Sequence, residues 1–171
     1  MTDFGVEIDC LEGIKIVDFT QFEAGPSCTE ALAWLGAEVV KIENPTTGDP
    51  GRRQQVGKPD NDPWYFHQFN ANKKSLALNL KSPRGLEIVK ALLAQADVTI
   101  ENMAPGTIER LGVLNDGTVA GNLLADLVGN GGKHAFAAGM IVGFLGAHRP
   151  AARDKASRAW GRFLRLKPFW Q

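Results

Sequence analysis

The amino-acid sequence predicts an open α/β domain built on a parallel sheet. Two observations predict it. Short β-branched runs alternate with segments whose apolar residues recur at helical spacing. The first strand, helix and second strand also fit within about 30 residues, the length of a βαβ unit, whose strands pair in parallel through a right-handed crossover. That alternation places the chain in the α/β class.

The elements follow in order. Ile14-Lys15-Ile16-Val17-Asp18-Phe19 is a β-branched run after Gly13 and reads as a strand. Gln21 to Ser27 holds Gly25 and Pro26 and reads as a turn, with Pro26 suited to the first turn of a helix. Cys28, Ala31, Leu32 and Leu35 then recur at helical spacing, with Gly36 as the C-cap. Glu38-Val39-Val40-Lys41-Ile42-Glu43 is the second strand. Asn44 to Asp62 is rich in Pro, Gly and Asp and is expected to be a loop. Lys73 to Leu80 reads as a strand, and Pro83 to Ala94 as a helix with Leu86, Val89, Leu92 and Leu93 inward. Asp97 to Glu101 is a further strand, and Pro105 to Leu111 a short helix. Beyond Gly112 the pattern loosens. Asn122 to Val128 and His134 to Ala147 read as helical pieces around Gly129-Asn130-Gly131-Gly132. No internal repeat is evident.

Charge is unevenly spread along the 171 residues. From His148 onward seven basic residues, Arg149 to Lys167, face one acidic residue, Asp154, while the preceding 147 residues hold 12 basic and 18 acidic groups. The chain therefore divides into a mildly acidic body, 1–147, and a basic tail, 148–171, that is expected to be poorly ordered for want of apolar groups. The tail has no nucleic-acid-binding motif, and no nucleic-acid partner is expected. Cys10 and Cys28 make no disulfide framework and suit a reducing compartment. The opening MTDFGVEIDC has neither a basic n-region nor an apolar h-region, so a cytoplasmic chain without a signal peptide is expected. Ala135 to Ala147 is too short and too glycine-rich to span a bilayer, and no membrane partner is expected. No metal site is read. Trp34, Trp64, Trp160 and Trp170 read as packing or interface residues.

Six adjacent segments stand in an order that resembles CoA-transferase family III, the group of formyl-CoA transferase, carnitine CoA-transferase and α-methylacyl-CoA racemase. Leu11 to Thr20 resembles the family's opening strand, and Ala24-Gly25-Pro26 with Leu35 to Glu43 its first helix and second strand. Gly48-Asp49 with Arg52, Phe69 to Ser75, Leu80 to Gly85 and Asp97 to Gly106 complete the set. The resemblance implies a partial doubly wound, Rossmann-like sheet, the amino-terminal half of that family's large domain. It also implies CoA or acyl-CoA as substrate rather than as a tightly bound cofactor, a carboxylic acid as the second substrate, and homodimers among complete relatives.

By resemblance, Gln21, Phe22, Ala24, Leu78, Lys81, Asn102, Met103 and Arg110 match positions lining the nucleotide and pantetheine site. Taken by themselves, the same residues have blander readings. Lys81 precedes Ser82-Pro83 and reads as a solvated residue before a helix, Asn102 as a turn former, Arg110 as a surface helix residue, Phe22 and Leu78 as core. The chemistry nonetheless suits CoA. Open α/β sheets bind such ligands at the carboxyl ends of their strands, and the helix after Ala104-Pro105-Gly106 offers an N-terminus to an anion. Lys81 and Arg110 add charge-assisted contacts to phosphate. Relatives often carry a nucleotide-contacting arginine after the second strand, where this chain has Asn44.

Ala125-Asp126-Leu127-Val128-Gly129-Asn130-Gly131-Gly132 resembles the family's aspartate with its glycine-rich segment. Asp126 is thereby the candidate nucleophile, attacking the acyl-CoA thioester to give a mixed anhydride. The blander reading is an ordinary aspartate beside a glycine turn. A racemase would also need a histidine partner, and none occurs between His67 and His134. Only about a dozen residues separate Leu111 from Asp126, where the family has a long stretch, and Pro150 to Gln171 resembles nothing in it. An internal deletion with a divergent end, leaving a non-catalytic CoA-binding fragment, is the remaining reading.

Overall fold

The computed structural model describes residues 11–54, 62–104 and 106–113. Within them the chain runs β1 (Lys15–Asp18), α1 (Ala24–Trp34), β2 (Glu38–Glu43), a single 3-10 turn (Pro50–Arg53), α2 (Trp64–Asn70), β3 (Lys74–Ala77), α3 (Pro83–Leu93), β4 (Val98–Ile100) and α4 (Thr107–Arg110). The four strands form one sheet in the order β3-β2-β1-β4, every pair parallel. The expected α/β class and parallel sheet are what the fold is.

Alternation of side chains across the strands assigns the helices to opposite faces. Val17, Phe19 and Ile42 point to one face and pack with Val89, Leu93 and Ala96 from α3 and its end, and with Ile108 and Val113. Ile16, Asp18, Val39 and Lys41 point to the other, where Thr29 of α1 hydrogen-bonds Asp18. Helices on both faces make the sheet doubly wound.

Helix α1 starts at Ala24, four residues before the Cys28 start expected, because a first turn has no intrahelical use for the N–H that Pro26 lacks. It ends as the sequence foretells. Gly36, at φ +97°, donates to Ala33 O and Ala37 donates to Leu32 O, the paired bonds of a Schellman stop. Gly25 is required by close approach. A Cβ there would lie 2.3 Å from the Cβ of Thr20.

Three segments differ from expectation. The loop from Asn44 to Asp62 contains the 3-10 turn, capped by Asp49 Oδ1 accepting from Gly51 N. Helix α2 was not among the expected elements. Strand β3 stops at Ala77 rather than Leu80 because its partner β2 ends at Glu43, whose carbonyl takes the last bond, from Leu78 N. Trp34 and Trp64, read as packing or interface residues, are exposed, at 63% and 80%. No helix among the described residues is long and apolar enough to cross a membrane. Asp126, the glycine-rich segment and the basic tail lie outside the described residues.

Candidate functional site

Strand order reverses at β1. From it the chain steps outward to β2 and β3, then returns to place β4 on the other side. The carboxyl ends of β1 and β4 therefore diverge into loops with a crevice between them, the position where open α/β sheets take ligands. An open cleft of about 420 Å³ lies there, lined by Gln21, Phe22, Asn102, Met103, Ala104 and Thr107.

The side chain of Asn102 continues the β1–β4 pairing beyond the strands. Phe19 N donates to Ile100 O at 2.8 Å, the last backbone rung. Two residues on, Gln21 N donates to Asn102 Oδ1 and Asn102 Nδ2 donates to Gln21 O, both at 2.8 Å. A primary amide has the donor and acceptor of a peptide group, so it closes the gap where the two backbones part. Glu101, buried beside it, accepts from Met103 N at 2.7 Å and fixes the turn that follows.

On the β1 side the loop is held from beneath. Asp18 and Lys41 are register partners on the α1 face of the sheet. Asp18 is fully buried and accepts from Thr20 N at 2.8 Å and from the hydroxyls of Thr20 and Thr29. Lys73 Nζ stands 3.3 Å from it and donates to Pro26 O at 2.9 Å and Asn70 Oδ1 at 3.0 Å. Burial pulls the Lys73 ammonium down to about 8, against the attraction of Asp18. Burial also pushes the neighbouring Cys28 thiol up to about 11, so it is no nucleophile at neutral pH. Lys41 Nζ donates to Thr20 O at 2.7 Å and pairs with Asp49 Oδ2 at 2.8 Å.

Asp49 belongs to a second buried set. Its N–H donates to Glu43 Oε2 at 2.9 Å, and Arg52 grips both Glu43 oxygens at 2.7 Å while lying 3.7 Å over the ring of Phe66. Burial raises the Glu43 carboxyl, yet the bonds from Arg52, Ser75 and Asp49 N outweigh it and bring it down to about 2.

Of the residues picked from the sequence, Gln21, Phe22, Asn102 and Met103 meet in the cleft. Arg110 lies at its edge, Nη2 donating to Thr107 Oγ1 at 2.8 Å. Ala24 is the first residue of α1, directly behind the loop. Leu78 and Lys81 follow β3, at the same end of the sheet but two strands from β1, and line no part of the cleft. Lys81 is exposed, its N–H bonded to Asn79 Oδ1 at 3.0 Å. Asn44 closes its own turn, Oδ1 accepting from Thr46 N and Thr47 N. Helix α4 is a single turn whose Thr107 N–H is already given to Ala104 O, which leaves it a weaker anion site than expected. Sequence reasoning assigned no role to Lys41, Asp49 or Tyr65, which shape the loop; Gly48-Asp49 and Arg52 were noticed only as part of a pattern.

Comparison with known proteins identifies the family and the fold. The family model described as CoA-transferase family III matches residues 11–122. A formyl-CoA:oxalate CoA-transferase of Escherichia coli O6:H1 is 48% identical over 102 residues, 60% of this chain and 24% of its own. The enzyme of the same name from Afipia carboxidovorans is 47% identical over the same shares. Among solved structures, a CAIB/BAIF family protein from Brucella suis superposes with a TM-score of 0.56 at 34% identity, over 60% of this chain and 28% of its own. The chain thus spans about a quarter of the length of the curated relatives it matches. The family match covers well over half of the chain, and the chain belongs to CoA-transferase family III.

Proposed function

We propose that this chain carries the coenzyme-A-binding part of an enzyme that moves CoA between an acyl-CoA and a carboxylic acid, with formyl-CoA and oxalate as the pair. The observation that carries the reading is the cleft at the β1–β4 switch point. Its lining is uncharged: amides at Gln21 and Asn102, apolar surface at Phe22 and Met103, a hydroxyl at Thr107. That mixture suits a slender arm of alternating amides and methylenes such as pantetheine. The anionic end of CoA would lie outward, toward the cation of Arg110 and, farther along the strand ends, Lys81. The substrate pair rests on the names of the 47–48% identical relatives.

In this reading Asp126 is the nucleophile. Its carboxylate oxygen adds to the thioester carbonyl, the C–S bond breaks, CoA leaves as thiolate, and a mixed anhydride remains. The thiolate returns to the aspartyl carbonyl and releases the first acid. The carboxylate of the second acid attacks the aspartyl-CoA thioester and expels CoA thiolate, giving a second mixed anhydride. Thiolate attack on that acid's carbonyl then forms its CoA thioester and frees the aspartate carboxylate. Residues 1–147 form part of the CoA-binding domain, 148–171 a basic tail, and the complete enzyme would act as a cytoplasmic homodimer.

Calorimetric titration of the 171-residue chain with CoA tests the binding site. Asn102→Ala and Arg110→Ala should each weaken CoA by about 1–3 kcal/mol, the scale of charge-assisted or paired hydrogen bonds lost. Affinity untouched by both substitutions would refute the site. Turnover of formyl-CoA with oxalate, abolished by Asp126→Asn, tests the chemistry.

A further inference from the structure

Phe22 stands at φ +70°, in the left-handed region that a bulky residue adopts only when its surroundings over-determine it. Here they do. Its N–H donates to Asp49 Oδ1 at 3.3 Å, and its ring meets Tyr65 edge-on at a centroid distance of 6.5 Å. Two residues earlier, Thr20 O is held by Lys41 Nζ, the ion-pair partner of Asp49. The side chains of Lys41 and Asp49 are 2% and 1% exposed, so the pair is a fixed internal strut.

We propose that Asp49 is a positioning residue of the cleft: from the loop between β2 and α2 it holds Phe22 left-handed, so that the phenyl ring forms the cleft wall. Its two oxygens do separate things. Oδ2 neutralises Lys41, which in turn holds Thr20 O. Oδ1 gathers the N–H groups of Gly51, at 2.6 Å, and Phe22. The backbone N–H of Asp49 is tied to Glu43, so the carboxylate is itself anchored. The inference rests on the coenzyme A reading for its ligand alone.

The two roles separate by substitution in the full chain. Asp49→Asn keeps a carbonyl oxygen for Phe22 and Gly51 but loses the charge facing Lys41. Asp49→Ala loses both. Amide hydrogen exchange by NMR reports the loop directly, with Val17 and Val39 as internal references in the sheet. Asp49→Ala should speed exchange at Phe22 about tenfold relative to those references and weaken CoA about tenfold, the effect of one lost hydrogen bond. Asp49→Asn should lower the melting temperature yet keep Phe22 protection and CoA affinity near the parent's. Glycine adopts φ +70° unaided, so in a Phe22→Gly background Asp49→Ala should add little further loss of affinity. Loss of Phe22 protection in Asp49→Asn equal to that in Asp49→Ala, or no loss in either, would overturn the proposal. If the parent chain binds no CoA, the ligand reading fails while the exchange measurement still decides whether Asp49 holds Phe22.

Discussion

The amide of Asn102 and the backbone of Gln21, 81 residues apart in sequence, hydrogen-bond each other in both directions at 2.8 Å. The pair ties together the two loops that line the cleft between β1 and β4. Asn102→Asp replaces the donor facing Gln21 O with a second acceptor, so attraction becomes repulsion on that side. We expect a loss of about 1–2 kcal/mol in urea unfolding, and weaker CoA binding than that loss alone explains.

Gly25→Ala probes the fit of α1 on the strand-end loop. The added methyl would lie 2.3 Å from Thr20 Cβ and 2.9 Å from its Oγ1. Thr20 is fully buried and bonded to Asp18, so it has nowhere to move. The expected cost is about 1–3 kcal/mol by thermal or chemical unfolding, the scale of an overpacked core.

Glu43 sets an acid limit. Its folded-state pKa of about 2 lies below the ordinary 4.5, because the bonds from Arg52, Ser75 and Asp49 N outweigh burial. Its contribution is therefore complete above pH 4.5 and lost as pH falls toward 2. Glu30 acts oppositely, since burial raises its carboxyl and lowering the pH favours the fold at that site. A comparison with Glu43→Gln isolates the first effect. The stability gap between the two proteins should shrink by about 2 kcal/mol across that window, after allowance for solvent screening.

Lys73 acts at the other end of the scale. Burial lowers it from 10.5 to about 8, so the folded chain sheds this proton before the unfolded chain does, and stability should rise as pH increases from 8 toward 10.5. Cys28 opposes it. Raised from 9.0 to about 11, it holds a proton between those values that the unfolded chain has lost. The net gain should therefore concentrate between pH 8 and 9, and Cys28→Ala should extend it to higher pH. A denaturation series across these pH values on both proteins checks the sign.

Which features were legible in the sequence follows from where their causes lie. Strand β2 and the stop at Gly36 are written locally, in a β-branched run and in a residue that tolerates positive φ. Helix α2, WYFHQFN, is poor in strong helix formers and survives through tertiary contacts, such as Phe66 under Arg52 and Tyr65 against Phe22, so no local signal marks it. Gln21, Phe22, Asn102 and Met103, which line the cleft together, were picked because the family pattern marks both strand ends. Lys41 escaped notice because it sits inside a strand run, and the carboxylate that makes its burial tolerable arrives from Asp49, eight residues on. Lys81 was grouped with Asn102 by the family pattern and by its charge. Strand order, which the sequence does not state, puts β3 at the far side of the sheet.

The order β3-β2-β1-β4 also fixes a timetable for synthesis. A ribosome delivers β1, β2 and β3 first, and these can zip together with α1 folded over one face. The free flank of β1 then waits with unpaired peptide groups until Val98–Ile100 appears, more than 75 residues after β1 is complete. The cleft is built on that last rung and on Thr107 beyond it, so it can close only after the rest of the sheet has been made. Any ligand that grips both loops would act on the nascent chain as a latch, closing the flank most open to association with other chains.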